Sequence, residues 1–240
     1  MKKALIFTLA LIGFGFGLKA QQAQKKGSFT GTVTRQVSLD YLLYLPRDYH
    51  FKEAEQWPLM LFLHGSGERG NDLSKVEVHG PPKLIAAGKQ FPFIVVSPQC
   101  PDLQDWDTEA LYALVQDIVK KYRVDKKRIY VTGLSMGGWA TWDLAMAYPG
   151  YFAAIAPVCG VVDRNYYRRA EELKHLPVWA FHGAADEIVP VKDAAKMIGR
   201  LQEIGGNAKI TIYPEAGHDS WTETYNNQEL YDWLLKQRRF

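Results

Sequence analysis

The chain has 240 residues, 47% hydrophobic and 23% charged, a balance that suits a globular protein with one large core and excludes a low-complexity or disordered chain. The formal net charge of +3 is mostly a feature of the first twenty residues: without Lys2, Lys3 and Lys19 the 29 basic residues fall to 26 against 26 acidic. Neither nucleic acid nor an anionic surface is therefore implied as a partner.

Lys2-Lys3, an apolar run from Ala4 to Leu18 and then Ala20 read as a secretory signal peptide over residues 1–20, too short for a membrane span. Leu18 stands where a small residue is usual before the cut, and no cysteine follows it, which argues against a lipid anchor. The expectation is export to the periplasm or beyond the cell. Residues 21–27 (QQAQKKG) read as a flexible lead-in and 28–240 as the folded domain.

From Ser28 to Leu45 polar and apolar residues roughly alternate, which predicts two antiparallel edge strands. Apolar runs at Pro58–His64, Pro92–Ser97, Arg128–Thr132, Phe152–Val158, Pro177–Phe181 and Lys209–Tyr213 predict strands covered on both faces. Helices are expected at Pro81–Gly88, Asp107–Tyr122, Trp139–Tyr148, Val191–Ile204 and Glu223–Gln237. Strand alternating with helix indicates an α/β protein, a mostly parallel sheet wound with helices on both faces. Gly160–His175, with Arg164, Tyr166, Tyr167, Arg168 and Arg169, reads as an exposed helix with a solvated basic face, or as a segment covering a site. Cys100 and Cys159 would have to bridge two strand ends of a parallel sheet, which needs a loop to bend inward.

The chemistry centres on Gly133-Leu134-Ser135-Met136-Gly137, a G-x-S-x-G pattern between a strand and a helix. Such a bend holds a serine hydroxyl out at the top of a sheet and leaves the Met136 N–H as an orphan first-turn donor. A serine needs a base, and the base an orienting group. His218, in the flexible GHDSW turn after the last strand, is the expected base; His64 and His182 read as packing or loop-bracing residues. Asp186, past the strand before it, is the expected acid, with Glu187 as rival; Asp219 reads as a loop brace. The order Ser135, Asp186, His218 matches α/β-hydrolase chain order. A second oxyanion donor is expected from the loop His64-Gly65-Ser66-Gly67-Glu68-Arg69-Gly70, from Ser66 or else Gly67, with a Glu68–Arg69 ion pair shaping the loop. Trp106 and Trp221 are candidate substrate-binding rings, with core packing as the alternative. No spacing matches a metal site or a phosphate loop, so no metal or cofactor is expected.

HGSGERGNDL, PQCP with Trp106, RIYVTGLSMGGWATWDLA, FHGAADEIVP and GHDSW together resemble the α/β-hydrolase superfamily. More narrowly they are similar to its carboxylesterase/phospholipase-type branch, which includes secreted feruloyl and acetyl-xylan esterases of carbohydrate esterase family 1. The resemblance covers Phe29–Phe240. It implies Ser135 as nucleophile, His218 as base and acid, Asp186 as orienter, and the Ser66 and Met136 amides at the oxyanion. It also implies a small or polysaccharide-linked ester as substrate, without the long lid insertion of larger lipases. Other hydrolases of this scaffold act on lysophospholipids, acyl thioesters or small peptides, and a retired scaffold would only bind. A histidine base implies activity that rises with pH around roughly 6–7.

Overall fold

The computed structural model describes Lys26 and residues 28–239; the expected signal peptide and all of the lead-in except Lys26 lie outside the described residues. Among the described residues Lys26 and 28–36 fall in one unit, which has no regular secondary structure, and 37–239 in another.

The second unit is built on seven strands: β1 (Tyr41–Tyr44), β2 (Trp57–Leu63), β3 (Ile94–Pro98), β4 (Val124–Leu134), β5 (Ala154–Val158), β6 (Val178–Gly183) and β7 (Ala208–Tyr213). They lie in the order β1-β3-β2-β4-β5-β6-β7, with β1 antiparallel to β3 and every other pair parallel. The helices are α1 (Gly80–Ala86), α2 (Thr108–Lys121), α3 (Met136–Ala147), α4 (Val191–Glu203), α5 (Trp221–Asn226) and α6 (Gln228–Lys236).

Strand periodicity explains the two-sided core. Side chains alternate between the faces of a sheet, so Leu59, Leu61 and Leu63 of β2 join one apolar cluster and Met60 and Phe62 join the other. The first cluster is closed by α2, α3 and α4 and the second by α1, α5 and α6. All seven β2 residues are buried, and each such Leu or Phe side chain contributes about 1.5–3 kcal/mol by leaving water. Helix α3 is buried almost all round, as a helix without a polar stripe must be.

Three expectations need correction. Only Tyr41–Tyr44 forms a strand in the stretch read as two: Phe29 is 95% exposed and Val33 92%, so the alternation there has no face to bury. The helix expected over Glu223–Gln237 is two, because Asn227 adopts an extended backbone and its side chain accepts the Glu229 N–H to start α6. Gly160–His175 is not one helix but two 3₁₀ turns, Arg164–Tyr167 and Ala170–Leu173. That segment is fastened down: Tyr166 bonds Asp143, Tyr167 donates to the Asp193 carbonyl at 3.0 Å and Arg169 to the Met146 carbonyl at 3.0 Å, while Ala170 and Leu173 are buried.

Both cysteines are free and buried. Cys100 follows β3 and Cys159 follows β5, with β2 and β4 between them. Three strand spacings are about 14 Å, twice the reach of a disulfide.

Candidate active site

The parallel strands bring their C-terminal loops to one edge, and the candidate residues arrive there from β2, β4, β6 and β7. Ser135 sits between β4 and α3 with φ 51° and ψ −114°, a backbone state that non-glycine residues rarely adopt. The bend is possible because its neighbours lack side chains. A Cβ on Gly133 would lie 2.4 Å from the Gly137 carbonyl oxygen, and one on Gly137 2.0 Å from the Leu63 carbonyl oxygen. Any side chain at either position would push β2, β4 and α3 apart.

The three residues singled out for nucleophile, base and acid are brought together. Ser135 Oγ lies 2.9 Å from His218 Nε2, and His218 Nδ1 lies 2.8 Å from Asp186 Oδ2. A carboxylate only accepts, so Nδ1 carries the proton and Nε2 is left bare to accept from the serine hydroxyl. The Asp186 side chain is fully buried and the His218 side chain 16% exposed, a dry pair with one open side. Burial acts to raise the Asp186 pKa, but the His218 bond and the Val189 and Ile188 amides outweigh it and hold the carboxyl below the ordinary value. Those amides donate to Asp186 Oδ1 at 2.9 and 3.0 Å. Glu187, the rival, is exposed, and Asp219 accepts the Thr222 amide and hydroxyl at the start of α5, as a brace does.

Opposite the serine, β2 pairs with β4 in a register that sets Leu63 against Gly133, so the residues that follow run on side by side. A Cβ on Gly65 would touch Leu134 Cδ1 at 2.8 Å. Ser66 opens a 3₁₀ turn, Ser66–Glu68, and Met136 opens α3. The first-turn amides of both have no intrahelical acceptor, and such donors favour negative charge.

The loop holding Ser66 is braced from within. Glu68 turns inward and accepts the Gly65 N–H at 2.9 Å, while Arg69 reaches out to Asp105; the two do not pair to shape the loop as expected. Gln99 donates to the Glu68 and Asp72 carbonyls, both at 2.8 Å. His64 donates from Nδ1 to the Gly65 carbonyl at 2.6 Å and accepts the Cys100 N–H at Nε2 at 3.0 Å. Burial above all lowers its pKa to about 4.

The two tryptophans differ. Trp106 spends its indole N–H on the His64 carbonyl at 3.1 Å and lies against the His64 ring. Trp221 stands edge to face with His218 at 5.4 Å between ring centres, and again with His79. Three apolar side chains on neighbouring segments of this edge are exposed: Trp139 in the first turn of α3, Val161 beyond β5, and Ile188 in the Asp186 loop. Sequence reasoning passed over all three, and their signal was only position. His182, read as a packing or loop-bracing residue, braces the Asp186 loop through the Val189 carbonyl at 2.8 Å, and its Nε2 also lies 3.3 Å from Asp186 Oδ2. Among the described residues no group of His, Cys, Asp and Glu is placed to hold a metal ion.

A family model for the dienelactone hydrolase family matches residues 103–232, more than half of the chain. The chain belongs to the dienelactone hydrolase family. The matched region contains Ser135, Asp186 and His218. The bifunctional acetylxylan esterase/xylanase XynS20E of Neocallimastix patriciarum is 27% identical over 143 residues, covering 57% of this chain and 20% of that protein. The protein named "Probable feruloyl esterase C" of Aspergillus terreus is 22% identical over 209 residues, covering 82% of this chain and 75% of its own length. A crystal structure of a thermostable esterase superposes with a TM-score of 0.73 at 33% identity, over 85% of this chain and 60% of that one. The chain thus spans a fifth of XynS20E and three fifths of the thermostable esterase. The fold of this dienelactone hydrolase family member is the α/β-hydrolase fold, and its neighbours in structure include esterases. Among the described residues no helix is long and apolar enough to cross a membrane.

Proposed function

We propose that this chain is an exported serine carboxylic-ester hydrolase that works through an acyl-enzyme. The observation that carries the reading is the continuous relay from Ser135 Oγ through His218 to Asp186, at 2.9 and 2.8 Å. His218 Nε2 takes the serine proton as Oγ attacks the ester carbonyl. The negative charge that develops on the carbonyl oxygen is received by the Ser66 and Met136 amides, fixed donors that need no reorganisation. His218 then gives its proton to the departing alkoxide, leaving the acyl group on Ser135. Water, deprotonated by the same histidine, attacks that acyl group, and the acid leaves as Ser135 regains its proton.

For the substrate, the reading is a small ester or an acyl group, feruloyl or acetyl, carried on a plant polysaccharide. Two things support it: the likeness to an acetylxylan esterase/xylanase and a probable feruloyl esterase, and the Trp221 ring edge to face with His218, with exposed apolar Trp139, Val161 and Ile188 on segments that follow strands of the same sheet. Flat and apolar surfaces suit an aromatic acyl group or a sugar face. The signal-like residues 1–20 support export.

The test is a panel of aryl acetate, methyl ferulate, acetylated xylan, a lysophospholipid and a prolyl amide on purified protein, with Ser135→Ala as control. Hydrolysis of the first three is expected, with a loss of at least about 10⁴-fold in kcat in the alanine variant. Equal rates in parent and variant would refute the assignment of Ser135, and preference for the lysophospholipid or the prolyl amide would overturn the substrate class.

A further inference from the structure

Strand β6 ends in His182-Gly183, and the histidine takes part in the site. Its side chain is 1% exposed, with Nε2 2.8 Å from the Val189 carbonyl oxygen and 3.3 Å from Asp186 Oδ2. A carbonyl oxygen cannot donate, so Nε2 carries the proton and Nδ1 is bare. Nδ1 is buried without a partner among the described residues. A second proton there would have no acceptor, and burial accordingly lowers the pKa of this ring. His182 is a neutral, one-proton donor.

Asp186 accepts three hydrogen bonds, from the Ile188 and Val189 amides on Oδ1 and from His218 Nδ1 on Oδ2, and the His182 Nε2–H, bonded to the Val189 carbonyl at 2.8 Å, makes a longer second approach to Oδ2 at 3.3 Å. We propose that His182 is a positioning residue for the reaction: its neutral Nε2–H bonds the Val189 carbonyl, fixing the residue whose amide holds Asp186 Oδ1, and leans on one side of Oδ2, so that the carboxylate presents its other side to His218. The inference rests on the reading of Ser135, His218 and Asp186 as the reacting relay. The amides on Oδ1 and His218 on Oδ2 still leave the carboxylate some freedom to rock about its last bond; the His182 Nε2–H beside Oδ2 narrows it. The same donor draws off part of the charge that Oδ2 would otherwise direct at His218. The other titratable group set against this cluster is the Cys159 thiol from the end of β5, which burial pushes up to about 12 and keeps neutral.

The experiment compares His182→Leu, His182→Gln and His182→Asn in the full chain, with aryl acetate as substrate. Glutamine reaches the Nε2 position with an amide N–H and does not titrate; asparagine is too short; leucine has no donor. Leucine and asparagine should lower kcat by roughly 10–100-fold with KM within about twofold. They should also move the pH midpoint of kcat/KM upward, because Asp186 then holds the His218 imidazolium more strongly. Glutamine should restore kcat to within about threefold, with the parent midpoint. The low-field proton resonance of His218 Nδ1–H should be sharp in the parent and the glutamine variant and broadened in the other two. This reads the bond without turnover. Variants that lose thermal stability while keeping kcat, midpoint and resonance would overturn the proposal. If the parent shows no esterase activity but the resonance still depends on the His182 donor, the ester reading fails and the positioning stands. Should the leucine variant not fold, the asparagine and glutamine pair decides.

Discussion

His64 offers a sharp test because its whole effect has a computable sign. The ring is buried completely, donates from Nδ1 to Gly65 and accepts the Cys100 N–H at Nε2. Protonation of Nε2 would turn that acceptor into a donor facing a donor. Burial above all, with the nearby Arg69 charge adding to it, lowers the folded pKa to about 4, against 6.5 for a free histidine. Between those values the unfolded chain binds the proton that the folded chain refuses, so folding stability is fully present above pH 6.5 and falls as pH drops toward 4. The shift of about 2.5 units corresponds to about 3 kcal/mol in total, and about 2 kcal/mol of it falls between pH 6.5 and 4.5. Urea unfolding followed by tryptophan fluorescence at pH 7.5, 6.5, 5.5 and 4.5 measures it. Carboxylates such as Asp186 also lose stability in acid, so the informative quantity is the difference from His64→Gln, which has no group to titrate there. The parent should lose about 2 kcal/mol more than the variant between pH 6.5 and 4.5. Parallel losses in the two proteins would refute the buried neutral histidine. The loop that carries Ser66 hangs on this ring, so oxyanion binding should weaken together with stability.

Three further outcomes follow from named contacts. Asn227→Ala removes the cap that starts α6 and should cost about 1 kcal/mol, seen as a lower Tm with aryl acetate activity unchanged. Trp106→Phe deletes the indole bond to the His64 carbonyl; a loss of about 1 kcal/mol in stability with unaltered ranking of acyl esters is expected, and an altered ranking would return Trp106 to the substrate pocket. Trp221→Ala should do the reverse, changing the ratio of methyl ferulate to aryl acetate hydrolysis by about tenfold, since its ring borders His218.

The element pattern was legible wherever one physical signal dominated. Fully apolar runs such as Trp57–Leu63 became strands because a strand covered on both faces has no polar side to show. The alternation over Ser28–Leu45 misled because period-two patterning states only that one face could be buried, and not that a neighbour exists to bury it. Asn227 fits a helix interior by pattern, yet its side-chain oxygen caps the start of α6 and so breaks the run in two, a competition that local propensity does not resolve.

The sequence by itself determined the bend at Ser135: glycines at 133 and 137, a strand before and a helix after dictate a tight turn with the serine at its apex. It also set the order of the other two groups, because each follows a strand of the same parallel sheet. Tertiary structure decided everything that depends on direction and distance. It turned Glu68 inward and Arg69 outward, bonded the Trp106 indole to the His64 carbonyl, put Trp221 at the edge of His218, and set His182 near Asp186. Spacing along a chain fixes which loops share an edge of the sheet. Only the packed sheet fixes which atoms meet, because residues 83 and 32 positions apart are brought to 2.9 and 2.8 Å by strand register and not by anything local to either.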